Sequence, residues 1–273
     1  MAATAVPATP PAPRTRPPVR RALAAVAGLL ALALIVSAAY ALVDLTARHT
    51  FVERSAYAGV RSLDVHDATG GVVLTPAPAG APVRVVTHVT EGLSTPRRTA
   101  ARRSGGGLLL AASCSTVLAS ECSVSYEIAV PAGTRLLVRS SADDVVATGV
   151  ASSASIDLES SAGTVVATGL RAPLVRLSSS AGDVHATGVS GARVVADSSA
   201  GDVDLDLATP AQSLAARSSA GDVALTVPDA VYAVDATSSA GYVLDAALRK
   251  DPSARRTISA ASSAGDVRID VRR

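Results

Sequence analysis

Few residues in this 273-residue chain combine the type and spacing that chemistry demands. Asp144, Asp183, Asp202, Asp222 and Asp266 recur at steps of 39, 19, 20 and 44 residues, one or two repeats apart, and would line up along one edge of a repeating fold. Stacked carboxylates invite Ca²⁺. However, the glycine-dense nonapeptide of calcium-binding repeats is absent, and Thr164 and Tyr242 interrupt the row. Turn capping by Asp is the better account. Asp204 and Asp206 fall within one strand, but glycoside cleavage needs paired carboxylates across a groove. With no Trp and one Phe, few rings are left for a sugar to stack on. The histidines, at 49, 66, 88 and 185, form no motif. Cys114 and Cys122 lie eight apart with neither C-x-x-C spacing nor a histidine nearby, so outside a membrane a disulfide is the natural reading. Thr95–Arg103 carries Arg97, Arg98, Arg102 and Arg103 and no acid. It reads as a solvated loop or as a contact for anionic envelope material, since Arg suits phosphate. No residue pattern calls for catalysis, a resident metal or a cofactor.

The elements that position these residues are written in a repeat. SSAGDV stands unchanged at Ser179–Val184, Ser198–Val203, Ser218–Val223 and Ser262–Val267. SSADDV, SSAGTV and SSAGYV stand at Ser140–Val145, Ser160–Val165 and Ser238–Val243, and Asp67–Val72 is a degenerate earlier copy. Before each motif the residues alternate with period two, as in Ile156, Leu158, Ser160 and Val175, Leu177, Ser179. That is a half-buried strand. After each motif a second inward column runs Val145, Val165, Val184, Val203, Val223, Val243, Val267. Two residues further on, Asp245 breaks the companion column in the coil with the longest step, which predicts a bulge or an outward turn there. The repeat turns are Gly163, Gly182–Asp183, Gly201–Asp202, Gly221–Asp222, Gly241 and Gly265–Asp266, where Gly gives backbone freedom for a sharp corner.

A twenty-residue unit with two strands cannot bury its own face, whereas stacked units can. The expected fold is therefore all-β, a single-stranded parallel β-solenoid with coils of about twenty residues. Connection handedness favours a right-handed β-helix. A β-sandwich is the competing arrangement, and near-identical turns at a fixed period argue against it. Aromatic residues make up 2% of the chain against 48% hydrophobic, which requires a thin core of Ala, Val and Leu.

Residues 1–21 are rich in Pro, Ala and Thr and include Arg14, Arg16, Arg20 and Arg21 with no acid, so a disordered cytoplasmic tail is expected. Ala22–Val43 contains no charge and is long enough to cross a bilayer. Arginines before the span place the N-terminus inside and the rest outside. Ala39-Tyr40-Ala41 keeps cleavage as a signal peptide open. The remaining boundaries are a linker at 44–59, irregular first rungs that cap the solenoid at 60–139, and the regular repeats at 140–273. The net charge of +2 argues against nucleic acid as a partner.

The tandem SSAGDV units, Val130-Pro131-Ala132-Gly133 and the N-terminal apolar segment resemble the DUF4097 family of β-strand-repeat proteins, also called adhesin candidates, over roughly residues 55–273. The resemblance implies a bacterial cell-envelope protein, in some cases tied to envelope-stress systems, and carries over no catalytic residue. The resulting expectation is a non-enzymatic, single-pass envelope protein. Its extracytoplasmic solenoid would bind anionic envelope polymers or another envelope protein. An envelope-stress sensor working through a partner is the alternative, and a glycan-active β-helix enzyme the minor one.

Overall fold

The structure is a computed structural model that describes residues 18–67, 69–114, 122–245 and 248–272. The chain divides into two units, residues 1–46 and 47–273. The first contains most of helix α1 (Pro18–Ala47). Pro18 opens it, a position where its missing N–H costs nothing. The expected disordered tail therefore ends earlier than residue 21, and its first seventeen residues lie outside the described residues. None of the apolar span Ala22–Val43 is buried in protein, and by length and composition it suits a membrane anchor or a signal sequence.

The second unit is built from strands. One end comprises β1 (His49–Tyr57), β2 (Ser62–Asp67), β3 (Val72–Ala77), β4 (Val83–Glu91), β5 (Arg97–Arg103), β6 (Gly107–Ser113) and β7 (Cys122–Pro131). Paired strands of the regular coils follow. They are β8 (Arg135–Ser140) and β9 (Val145–Thr148), β10 (Ser155–Ser160) and β11 (Val165–Thr168), and β12 (Leu174–Ser179) and β13 (Val184–Val189). Next come β14 (Arg193–Ser198) and β15 (Val203–Leu207), then β16 (Ser213–Ser218) and β17 (Val223–Pro228). The last five are β18 (Val231–Ser238), β19 (Val243–Leu244), β20 (Arg249–Lys250), β21 (Thr257–Ser262) and β22 (Val267–Arg272).

Two mainly parallel sheets result, as a solenoid requires. One runs β1-β4-β7-β3-β9-β11-β13-β15-β17-β22-β19, the other β20-β18-β21-β16-β14-β12-β10-β8-β2-β6-β5. Register is like on like: Val165 pairs with Val145 and Val184, and Ser179 with Ser160 and Ser198. A single core, mostly Val, Leu, Ile and Ala with Tyr126 and Tyr232 among them, fills the space between the sheets.

At both ends the spatial order departs from chain order. The C-terminal coil, β21–β22, sits between β16–β17 and β18–β19. The chain thus runs out to the end of the stack and returns one coil inward, which is why the step from Gly241 to Gly265 is the longest. The end coil of the stack is therefore not the last in chain order. It is the SSAGYV copy, and its Val243 is 38% exposed where the other six valines of the column are 0% exposed. Asp245 leaves the strand, as the broken column predicts, and its carboxylate meets Lys250 Nζ at 2.6 Å. At the other end β2–β3 likewise lie inside β6–β7.

Two further expectations are corrected. The linker expected at 44–59 holds strand β1, and the loop expected around Arg97–Arg103 is strand β5. Both are antiparallel edge strands, β1 on β4 and β5 on β6. Edge strands carry charge and show little burial alternation, so hydrophobic periodicity does not reveal them.

The inward assignment yields a direct check. Val203 is fully buried and Asp204 beside it exposed. Val203→Asp, which buries an unpaired charge, should destabilise by several kcal/mol, whereas Asp204→Ala should shift stability by less than about 0.5 kcal/mol. Denaturant titration of the two variants measures this, and equal effects would refute the register.

Candidate functional site

The repeat corners show what the conserved-looking letters of the motif do. The first serine of six of the seven copies points inward and is buried, and Ser238 of the end coil is half-buried. Its hydroxyl donates to a carbonyl in the corner of the adjoining coil: Ser160 to Asp143 at 2.9 Å, Ser179 to Gly163 at 2.8 Å, Ser198 to Gly182 at 2.9 Å, Ser218 to Gly201 at 2.8 Å. The same oxygen accepts from its own corner, as Gly163 N–H to Ser160 and Gly182 N–H to Ser179 at 2.9 Å each. Glycine stands in the corner because of close approach rather than dihedral freedom. A Cβ at Gly163, Gly182 or Gly201 would lie 2.5 Å from the neighbouring corner's carbonyl oxygen, and one at Gly221, Gly241 or Gly265 closer still.

The aspartates act between coils, not within their own turn as the sequence reading expected. Asp183 Oδ1 accepts from Asp202 N–H, Asp202 from Asp222 and Asp222 from Asp266, at 2.7–2.8 Å. Asp266 accepts from Tyr242 N–H at 2.8 Å. Tyr242 belongs to the end coil, where no further coil needs a carboxylate, so its departure from Asp has a structural reason. The carboxylates are committed to backbone donors, and among the described residues no group of three or more His, Cys, Asp or Glu could hold a metal.

A second corner went unread in the sequence. Gly149, Gly169 and Gly188 have φ of 65°, 64° and 69°, the left-handed region that favours glycine. The signal was Ala-Thr-Gly at 147–149, 167–169 and 186–188.

Cys114 and Cys122 form a disulfide with Cα atoms 5.9 Å apart. The four arginines do not make one patch, because the period-two alternation of β5 divides them. Arg98 and Arg102 face β1 across the open end of the core. Arg98 pairs with Glu53 at 2.6 Å and lies over the Phe51 ring at 5.3 Å. Arg102 lies over the Tyr57 ring at 5.9 Å and donates to the Ala58 carbonyl at 3.1 Å. These contacts enclose a cavity of about 200 Å³ that is also lined by Val85, Thr87, Leu110 and Tyr126. Arg97 and Arg103 emerge on the outer face, Arg103 beside Asp64 at 3.3 Å. Of the remaining candidates, Asp206 is paired with Arg272, and His88 and His185 stand beside Glu127 and Asp183.

One buried carboxyl was missed. Asp67 occupies the serine position of the β2–β3 corner, in register with Ser140, and is 1% exposed. Its Oδ1 accepts from Thr69 N–H at 3.0 Å, and its Oδ2 has no partner among the described residues. Burial pushes its pKa up to about 7. Hydrogen bonds from Thr69 and Gly70 oppose the shift, and the Asp143 charge adds to it.

A family model, Toastrack DUF4097, matches residues 124–273. The chain belongs to the Toastrack DUF4097 family. No curated protein matches it. Among solved structures it is similar to a candidate cell adhesion protein from Clostridium sporogenes, at 11% identity over 82% of this chain and 100% of that one, with a TM-score of 0.36. It is also similar to candidate adhesins from Bacteroides fragilis (12% identity, 82% and 97% covered, TM-score 0.42) and Parabacteroides distasonis (10% identity, 81% and 97% covered, TM-score 0.42).

Asp67 gives this Toastrack chain a pH dependence of known sign. Its folded-state pKa stands above the ordinary 3.8, so the associated stability is complete below about pH 3.8 and is lost as pH rises through about 7. The loss has an upper bound of ~4 kcal/mol. The thermal stability of the native protein should fall from pH 5 to 8, and Asp67→Ser, which supplies the hydroxyl used in the other coils, should flatten that dependence. An unchanged slope in the variant would remove Asp67 as its cause.

Proposed function

We propose that this protein is a non-enzymatic, membrane-anchored component of the cell envelope, with its N-terminus in the cytoplasm and its solenoid held outside as an adhesin-like binding module. The observation that carries this reading is the uncharged helical span Ala22–Val43, with none of it buried in protein, joined in one chain to a Toastrack solenoid. The Cys114–Cys122 disulfide supports an oxidising compartment for that solenoid. Arg14, Arg16, Arg20 and Arg21 before the span support the N-in orientation. The non-enzymatic part rests on what the polar groups do, since the corner serines and aspartates are consumed in hydrogen bonds between coils. An envelope polymer rich in phosphate is the ligand class that the outward arginines would suit.

Protease added to intact, wall-stripped cells should digest the solenoid while α1 stays in the membrane fraction. Cys114 and Cys122 should take up a thiol reagent only after reduction. Digestion only after lysis, or ready labelling without reductant, would overturn the placement.

A further inference from the structure

The outer face of the second sheet carries a groove of about 460 Å³ at its β5 end, lined by His66, Arg97, Thr99, Ala111, Ser113 and Arg139 among others. Strand register explains how it arises. Thr99, Ala111, His66 and Arg139 stand in one row across β5, β6, β2 and β8, and Arg97 stands beside Ser113 two residues away. Ala111 is the smallest member of that row, so the surface dips between Thr99 and His66. Ser141, also on the lining, adds a third hydroxyl to those of Thr99 and Ser113.

The charges around the groove are unevenly matched. Asp64 lies 2.8 Å from His66 Nε2 and 3.3 Å from Arg103. Arg139 Nε donates to Glu159 at 2.9 Å, while its Nη1 stands 3.5 Å from His66. Two acids thus face Arg103, Arg139 and His66, and Arg97 makes no ion pair among the described residues. Asp67 also borders the groove, but it is 1% exposed and in register with the inward Ser140.

We propose that this groove is the recognition site of the binding module and that it takes a linear polyanion of repeating phosphates, a proposal that rests on the reading of the protein as a binding module. Arginine grips phosphate through paired N–H donors, and hydroxyls add neutral ones. The strands bearing Arg97 and Arg139 are three ladder steps apart, about 14 Å. That span suits anionic groups in series better than one isolated oxyanion. Arg98 and Arg102, committed to closing the core against β1, are not part of the site.

Full-length protein in neutral maltoside micelles, titrated calorimetrically with linear triphosphate at low salt, tests this. Saturable binding should appear, weaken as salt rises, and exceed that of orthophosphate. Arg97→Ser with Arg139→Ser should weaken it about ten-fold or more, and Ala111→Leu, which fills the floor and removes no charge, should weaken it as well. Arg193→Ser with Arg255→Ser, on exposed residues outside the groove, should leave it within about two-fold. Unfolding midpoints measured alongside confirm that each variant is folded. Undiminished binding in the Arg97/Arg139 variant, an equal loss in the Arg193/Arg255 variant, or orthophosphate binding as tightly as triphosphate would overturn the proposal. The assay does not depend on membrane orientation, so its failure is distinct from a failure of the protease experiment.

Discussion

A narrow solenoid brings the corners of successive coils into van der Waals contact, and each corner carbonyl turned toward its neighbour must find a donor there. Here the donor is a serine hydroxyl. Because the same oxygen also accepts an N–H from its own turn, one buried atom satisfies two backbone groups on two coils. The arrangement works only if the corners approach closely, and the corner glycine permits that approach: a Cβ in its place would meet the neighbouring carbonyl at 2.3–2.5 Å. The aspartate immediately after the corner glycine then accepts the next coil's N–H at the solvent edge. Serine, glycine and aspartate are three parts of one inter-coil junction.

That junction accounts for where the motif is broken. A coil with no further neighbour on its outer side has no N–H to receive, and there the aspartate gives way to Tyr242. At the other end the serine gives way to Asp67, which accepts but, while ionised, cannot donate. Beyond it the chain stops repeating and closes the core differently, with antiparallel strands, a disulfide beside β7, and arginines stacked on Phe51 and Tyr57. The charged strand β5 therefore has two faces with two duties. Arg98 and Arg102 seal the core, while Arg97 is left to the outer surface.

Much of this was legible in the residues. Copies of SSAGDV at near-equal steps specify stacked coils, and period-two alternation specifies which side chains point inward, as Val203 and Asp204 illustrate. Cys114 and Cys122, on a chain whose apolar span suggests a segment outside a membrane, pointed to the disulfide. What could not be read was the order of the coils. The long step to Gly265 signals extra chain but not that β22 inserts between β17 and β19, because neighbouring coils offer nearly identical ladders. The edge strands β1 and β5 were also hidden, since their pairing rests on backbone bonds and their side chains are largely polar. The arginine cluster looked like one patch because sequence distance ignores the alternation that separates its two faces.

The central claim is that the buried serine, and not the second serine beside it, joins the coils. Ser179 is buried and bridges Gly163 and Gly182, whereas Ser180 is exposed. The most direct measurement is amide hydrogen exchange at Gly182 together with the unfolding free energy of Ser179→Ala and Ser180→Ala. The account predicts a loss of about 1–3 kcal/mol with faster exchange at Gly182 for Ser179→Ala, and a change within about 0.5 kcal/mol for Ser180→Ala. Equal stability of the two variants, with Gly182 equally protected in both, would contradict it.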